Sequence, residues 1–189
     1  MNFNEMGNDD VFVYVYPWSG EKELPSHELL RQSVGRYLGR EISDCTVCRN
    51  GEYGKPYIEE LPDVHFSISH SGGFWACAIG SAEVGLDLQE VKEVREEKLA
   101  RRFFHPSEVE WLEEHGFDQF SRLWAYKESY VKYTGVGLRD GMDYFSVVDG
   151  GLPACQQELP FRDGFYLVVT TEQKTPAQII FEDNRLVRL

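Results

Sequence analysis

Hydrophobic and polar residues alternate with the period of a strand in some stretches of the chain and of a helix in others. Val11 to Tyr16 alternates Val, Phe and Tyr and predicts a strand closed by Pro17, after a polar N-terminal stretch expected to lack order. From His27 to Leu38, Leu29, Leu30, Val34, Tyr37 and Leu38 fall at helical spacing, with Ser26 as the expected N-cap and Gly39 as the stop. A short strand at Cys45 to Cys48 leads into GEYGKPYI, a loop punctuated by Gly and Pro that exposes Lys55. Val64, Phe66, Ile68 and His70 then alternate with His65, Ser67, Ser69 and Ser71, the pattern of a half-buried strand. Gly72-Gly73 supplies a hairpin turn into a strand from Phe74 to Ile79. In a third strand Val84, Leu86 and Leu88 point one way and Gly85, Asp87 and Gln89 the other, so a carboxylate and an amide share a face with a glycine that admits close approach.

Helical spacing dominates the middle of the second half. A charged helix is expected from Glu93 to Phe104, with Lys98, Arg101 and Arg102 near its C-terminus, where the helix dipole favours cations. Pro106 suits the first position of a helix over Ser107 to His115, which puts Glu108 in the first turn as a dipole-favoured carboxylate. In the next helix Phe120, Leu123, Lys127, Val131 and Thr134 recur every three or four residues until Gly135. Within its WAYKESYVK segment Glu128 and Lys132 lie one turn apart. That pair reads either as a surface ion pair or as a face that holds a cation with one group and a phosphate with the other. GVGL, FSVV, YLVVTT and QIIFE read as strands. The order predicts an α+β protein of two similar-sized halves, residues 1–90 and 91–189, with no sequence repeat between them.

Composition narrows the classes. The 189 residues are 42% hydrophobic and 14% aromatic, enough to bury a sizeable core as one large or two small domains. A formal charge of −13 argues against nucleic-acid or anionic-membrane partners, so any phosphate must be met by local groups. No long apolar run and no charged-then-apolar N-terminus is present, so neither a membrane span nor a signal peptide is expected, and the location expected is cytoplasmic. Cys45, Cys48, Cys77 and Cys155 are too few and scattered for a disulfide framework. Cys77, inside the apolar FWACAIG, is expected to be buried and a poor nucleophile.

GKPY, SISHS, GLDLQ, RRFFHPSEVEWL and LWAYKESYVKYTGVGL follow one another in that order. The series resembles the 4′-phosphopantetheinyl transferase superfamily, in its longer, surfactin-synthetase-activating type, over about Gly54 to Leu138. The resemblance implies a monomer whose two α+β halves, related by a pseudo-twofold, bind coenzyme A and magnesium at their junction. It implies transfer of 4′-phosphopantetheine to a serine of an apo-acyl or peptidyl carrier protein, leaving adenosine 3′,5′-bisphosphate. On this resemblance Asp87 and Glu128 hold magnesium, with Gln89 a third ligand, and Glu128 takes or orients the serine proton. Glu108 is a nearby acidic group, Lys132 contacts the pyrophosphate, and Lys55, Pro56, Ser69 and His70 hold the nucleotide with its 3′-phosphate.

This chain departs from the family pattern at two points. It has Gln89 where many relatives carry a carboxylate, and an amide oxygen is the weaker magnesium ligand, so the alternatives to direct ligation are that Gln89 acts through water or takes no part, leaving a two-carboxylate site. It also has His27 where relatives place an arginine, leaving Lys22 and Arg31 as substitutes. Carrier proteins are acidic like this chain, so a local basic patch is expected from Lys98, Arg101 and Arg102, joined by Lys127, Lys132 and Arg139, with a merely solvated helix face as the alternative.

Overall fold

β1 (Val11–Pro17) lies in the middle of a four-stranded sheet because its neighbours supply both ladders. In a computed structural model that describes residues 10–22, 24–43, 45–49, 54–92, 95–137 and 141–181, the hairpin β4 (His65–Ser71) and β5 (Phe74–Gly80) runs antiparallel to it on one side. β9 (Ala177–Phe181) runs parallel to it on the other. The expected Gly72-Gly73 turn joins β4 to β5, with both glycines at positive φ. Gly72 is also confined, since a Cβ there would meet the Phe165 ring. A second sheet has the order β6 (Val84–Glu90), β8 (Phe165–Thr171), β7 (Cys155–Leu159). The N-terminal stretch expected to lack order falls outside the described residues.

The two sheets repeat one connectivity. In the first, strand β1, helix α1 (Ser26–Leu38) and hairpin β4–β5 give the order second, third, first strand. In the second, β6, helix α4 (Phe120–Thr134) and hairpin β7–β8 give the same order. β6 was expected to close a first half ending at residue 90. Its hydrogen bonds tie it instead to β8, so the sheets part at the turn 81–83.

Period-two burial sorts the core. Phe12, Tyr14, Tyr16, Trp75, Cys77 and Ile79 face α1 through Leu29, Leu30 and Val34. Val11, Val13, Val15, Ala76 and Ala78 face the second sheet through Val84, Leu86, Leu88, Leu167 and Val169. The far face of the second sheet receives α4, whose approach is set by Gly85: a Cβ there would stand 2.0 Å from the Ser129 carbonyl oxygen. Ser129 Oγ and Thr170 Oγ1 lie 2.8 Å apart, and Gln156 Nε2 donates to the Tyr126 carbonyl at 2.7 Å, which fixes α4 on this sheet. Helices α2 (Glu96–Phe103) and α3 (Pro106–His115) build a third cluster with α4, Met142 and Phe145. A single 3₁₀ turn, Phe117–Gln119, leads into α4.

Several elements differ from expectation. Ser26 is the first helical residue and Pro25 the cap, because the Ser26 hydroxyl accepts the Trp75 indole N–H at 2.7 Å instead of bonding its own helix. KPYI is not all loop: β3 (Pro56–Ile58) pairs with β2 (Val47–Arg49) in a small two-stranded sheet. FSVV is not a strand, because buried side chains take its main-chain groups: Lys127 Nζ donates to the Phe145 carbonyl at 2.7 Å and Val147 N–H donates to Glu108 at 2.9 Å. β7 escaped notice because CQQEL is polar, although its glutamines are occupied within the fold.

Candidate active site

On β6, Leu86 and Leu88 enter the inter-sheet core, and the period of two turns Asp87 toward α4. Gly85 lets α4 lie close, and the spacing of four brings Glu128 and Lys132 to the same side. Lys132 Nζ stands 2.7 Å from Asp87 Oδ1 and 3.1 Å from Ser69 Oγ, and the Ser69 hydroxyl donates to Asp87 Oδ1 at 2.8 Å. Glu128 feels the same group. Burial, then repulsion from Asp87, raise its carboxyl from 4.5 to about 6, against the pull of Lys132. Asp87, Glu128, Lys132 and Ser69 thus converge from β6, α4 and β4.

This donor set suits a hard divalent cation. Asp87 Oδ2 is buried and has no hydrogen-bond partner among the described residues, and a second carboxylate lies near enough to repel it. Magnesium is commonly held by one or two carboxylates, with phosphate and water oxygens completing its octahedron. Among the described residues no group of three or more His, Cys, Asp or Glu side chains gathers to hold a metal. Gln89 shares the face of Asp87, with its amide nitrogen donating to the Glu90 carbonyl at 2.8 Å.

The remaining expected residues lie elsewhere. Glu108 is fully buried: it closes a capping box at the start of α3 through His105 N–H and forms an ion pair with Lys127 at 2.6 Å. It is a structural anchor in the helical cluster and makes none of the contacts that join Asp87, Ser69 and Lys132. Lys127, also without exposure, is correspondingly removed from the expected basic patch; its Nζ lies 4.0 Å from the centre of the Phe145 ring, and burial draws its ammonium down despite Glu108.

Lys55 was expected to be exposed. It reaches the C-terminal end of α4 instead, donating to the carbonyls of Val84 at 2.8 Å and Tyr133 at 3.4 Å and pairing with Glu83, which also meets His65. Burial lowers its ammonium, opposed by Glu83. Pro56 opens β3 opposite Arg49. His70 points away from Ser69, exposed, against the Trp18 ring at 4.9 Å. Arg31 is held by Glu28 and the Ile42 carbonyl, and the guanidinium keeps Glu28 down at about 2, while Lys22 is exposed. Of the patch on α2, Arg101 pairs with Glu97 and Glu113 and Arg102 lies over the Phe103 ring, leaving Lys98 exposed. Arg139 lies outside the described residues. Cys77 is wholly buried, which pushes its thiol well up and removes it as a nucleophile.

Two roles escaped the sequence reading. Lys127 already stood on the apolar stripe of α4, which is the signal that it needs a buried partner. Glu83 gave no such signal, because its partner Lys55 is distant in sequence.

The 4′-phosphopantetheinyl transferase superfamily matches residues 83–181, from the turn before β6 through β9. A 4′-phosphopantetheinyl transferase of Bacillus subtilis is 46% identical over 100 residues, 51% of this chain and 44% of that protein. The 4′-phosphopantetheinyl transferase Sfp of Bacillus subtilis strain 168 is 40% identical over 123 residues, 63% of this chain and 54% of its own. 4′-Phosphopantetheinyl transferase HetI of Nostoc is 31% identical over 134 residues, 66% of this chain and 56% of its own. The chain spans about half the length of the curated relatives it matches. With more than half of its residues inside the family match, and with Asp87, Glu128 and Lys132 all within that span, the chain belongs to the 4′-phosphopantetheinyl transferase superfamily.

Proposed function

We propose that this protein transfers the 4′-phosphopantetheine group of coenzyme A to a serine of an apo-acyl or peptidyl carrier protein, with magnesium held by Asp87 and Glu128. The observation that carries this reading is the meeting of a buried, unpartnered Asp87 oxygen with Glu128 and Lys132 at the contact of β6 and α4.

In the reaction the serine oxygen forms a bond to the β-phosphorus of coenzyme A as the bond to the bridging oxygen breaks, so adenosine 3′,5′-bisphosphate leaves with the electron pair. Asp87 and Glu128 would hold the cation, which when bound would neutralise charge on the pyrophosphate. Glu128, on the face of α4 turned to Asp87, takes or directs the serine proton. Lys132, four residues on, turns its ammonium to the pyrophosphate. Gln89 adds at most an amide oxygen to the ligand set, and Lys55 supports this site by holding the end of α4. The chain acts in the cytoplasm as a monomer, and no helix among the described residues is long and apolar enough to cross a membrane.

The test is a mass shift on purified apo-carriers after incubation with coenzyme A, magnesium and this protein. Transfer to at least one carrier of a panel is expected, and Asp87→Ala and Glu128→Ala should each remove most of it while retaining the fold. Coenzyme A binding without transfer would instead indicate a homologue that has lost activity, the reading favoured by the missing carboxylate at Gln89. Near-normal turnover in either variant refutes the assigned site.

A further inference from the structure

β4 and β6 belong to separate sheets, yet hydroxyls bridge them in register along both strands. Ser67 Oγ accepts Leu86 N–H at 2.9 Å and Ser71 Oγ accepts Glu90 N–H at 3.0 Å, so these two join side chain to main chain. Ser69, between them, bonds a side chain: its hydroxyl donates to Asp87 Oδ1 at 2.8 Å and accepts from Lys132 Nζ at 3.1 Å. Lys132 bonds the same Oδ1 at 2.7 Å. Two donors on one oxygen fix the rotation of the carboxylate, and Oδ2, buried and unpartnered, is the atom left with acceptor capacity.

We infer that Ser69 is a positioning residue of the metal site, orienting Asp87 so that Oδ2 is the oxygen offered to the cation. The inference rests on the function proposed above and replaces the expectation that Ser69 holds the nucleotide. A hydroxyl has one hydrogen, and here that hydrogen is on Asp87. A phosphate oxygen accepts hydrogen bonds and donates none, so the Ser69 hydroxyl could serve it only by releasing the carboxylate.

The experiment measures Mn²⁺ binding by loss of the free-ion paramagnetic resonance signal, in this chain without coenzyme A. Ser69→Ala should weaken Mn²⁺ binding about 10- to 100-fold, the usual effect of removing a hydrogen-bond partner of a metal ligand. At saturating metal its KM for coenzyme A should stay near that of the unaltered chain. Ser69→Thr, which keeps the donor, should recover most of the affinity. Ser67→Ala, which loosens the same seam without touching Asp87, should leave Mn²⁺ affinity unchanged. Circular dichroism checks each fold, and Ser69→Cys, similar in size but a weak donor, replaces the alanine variant if that one does not fold. Unchanged Mn²⁺ affinity with a raised KM for coenzyme A returns Ser69 to the nucleotide and overturns the inference, as does an equal loss in Ser67→Ala. Failure of the unaltered chain to bind Mn²⁺ overturns the functional reading, and this inference with it.

Discussion

Removing the charge of Glu128 should stabilise the metal-free protein. Its carboxyl is raised from 4.5 to about 6, chiefly by burial and then by Asp87, so the ionised form is disfavoured in the folded chain relative to the unfolded one. One pH unit corresponds to about 1.4 kcal/mol, which puts the cost of ionised Glu128 at about 2 kcal/mol. Below pH 4.5 the group is protonated in both states and the cost vanishes. It grows between 4.5 and about 6 and is complete above that range. Glu128→Gln should therefore melt about 4–8 °C above the unaltered chain at pH 8 in chelator, for a chain of this size. The two curves should converge as the pH falls to 4, and transfer should be lost in the variant. Thermal melts across that range provide the assay. An equal or lower melting temperature for the variant at pH 8, or a difference independent of pH, refutes the argument. The expected rise would mean that the site gives up stability for the sake of its chemistry, as strained active sites do.

Lys127→Ala should cost about 3–5 kcal/mol in urea unfolding, because it leaves the Glu108 carboxylate buried and unpaired, whereas Lys127→Met combined with Glu108→Leu should cost much less. Gly85→Ala should cost about 1–3 kcal/mol and reduce transfer, since the added methyl drives α4 from β6 and separates Glu128 and Lys132 from Asp87; unaltered kinetics would contradict that packing. Gln89→Glu should hold or raise Mn²⁺ affinity, and a marked loss would reveal a role for the amide. Cys77→Ala should leave transfer largely intact, as measured by the same carrier assay.

The legible parts of the fold were those in which side-chain period and burial coincide. β1 and β6 follow from alternation and β5 from an apolar run after a Gly-Gly turn, and the alternation in β6 puts Asp87 on the face of Gly85. The spacing of α4 joined Glu128 to Lys132 and set Lys127 on the buried stripe. What the spacing could not supply was partners remote in sequence. Glu108 looked like an ordinary first-turn carboxylate, and it is one, but its second partner comes from another helix and makes it an anchor instead of an acid of the site. FSVV has strand composition, yet the same ion pair takes its main-chain groups. Ser69 and Ser71 looked alike in the pattern, and their different partners on β6 separate their roles.

A join built from hydroxyls has a property that a main-chain ladder lacks. Main-chain pairing is indifferent to which residue stands at a position, so its spacing is nearly fixed; the gap between β4 and β6 is written in side chains and can be retuned by single substitutions. Ser67 and Ser71 are therefore adjustable spacers, through which the separation of β4 from β6 can be changed while both sheets remain as they are.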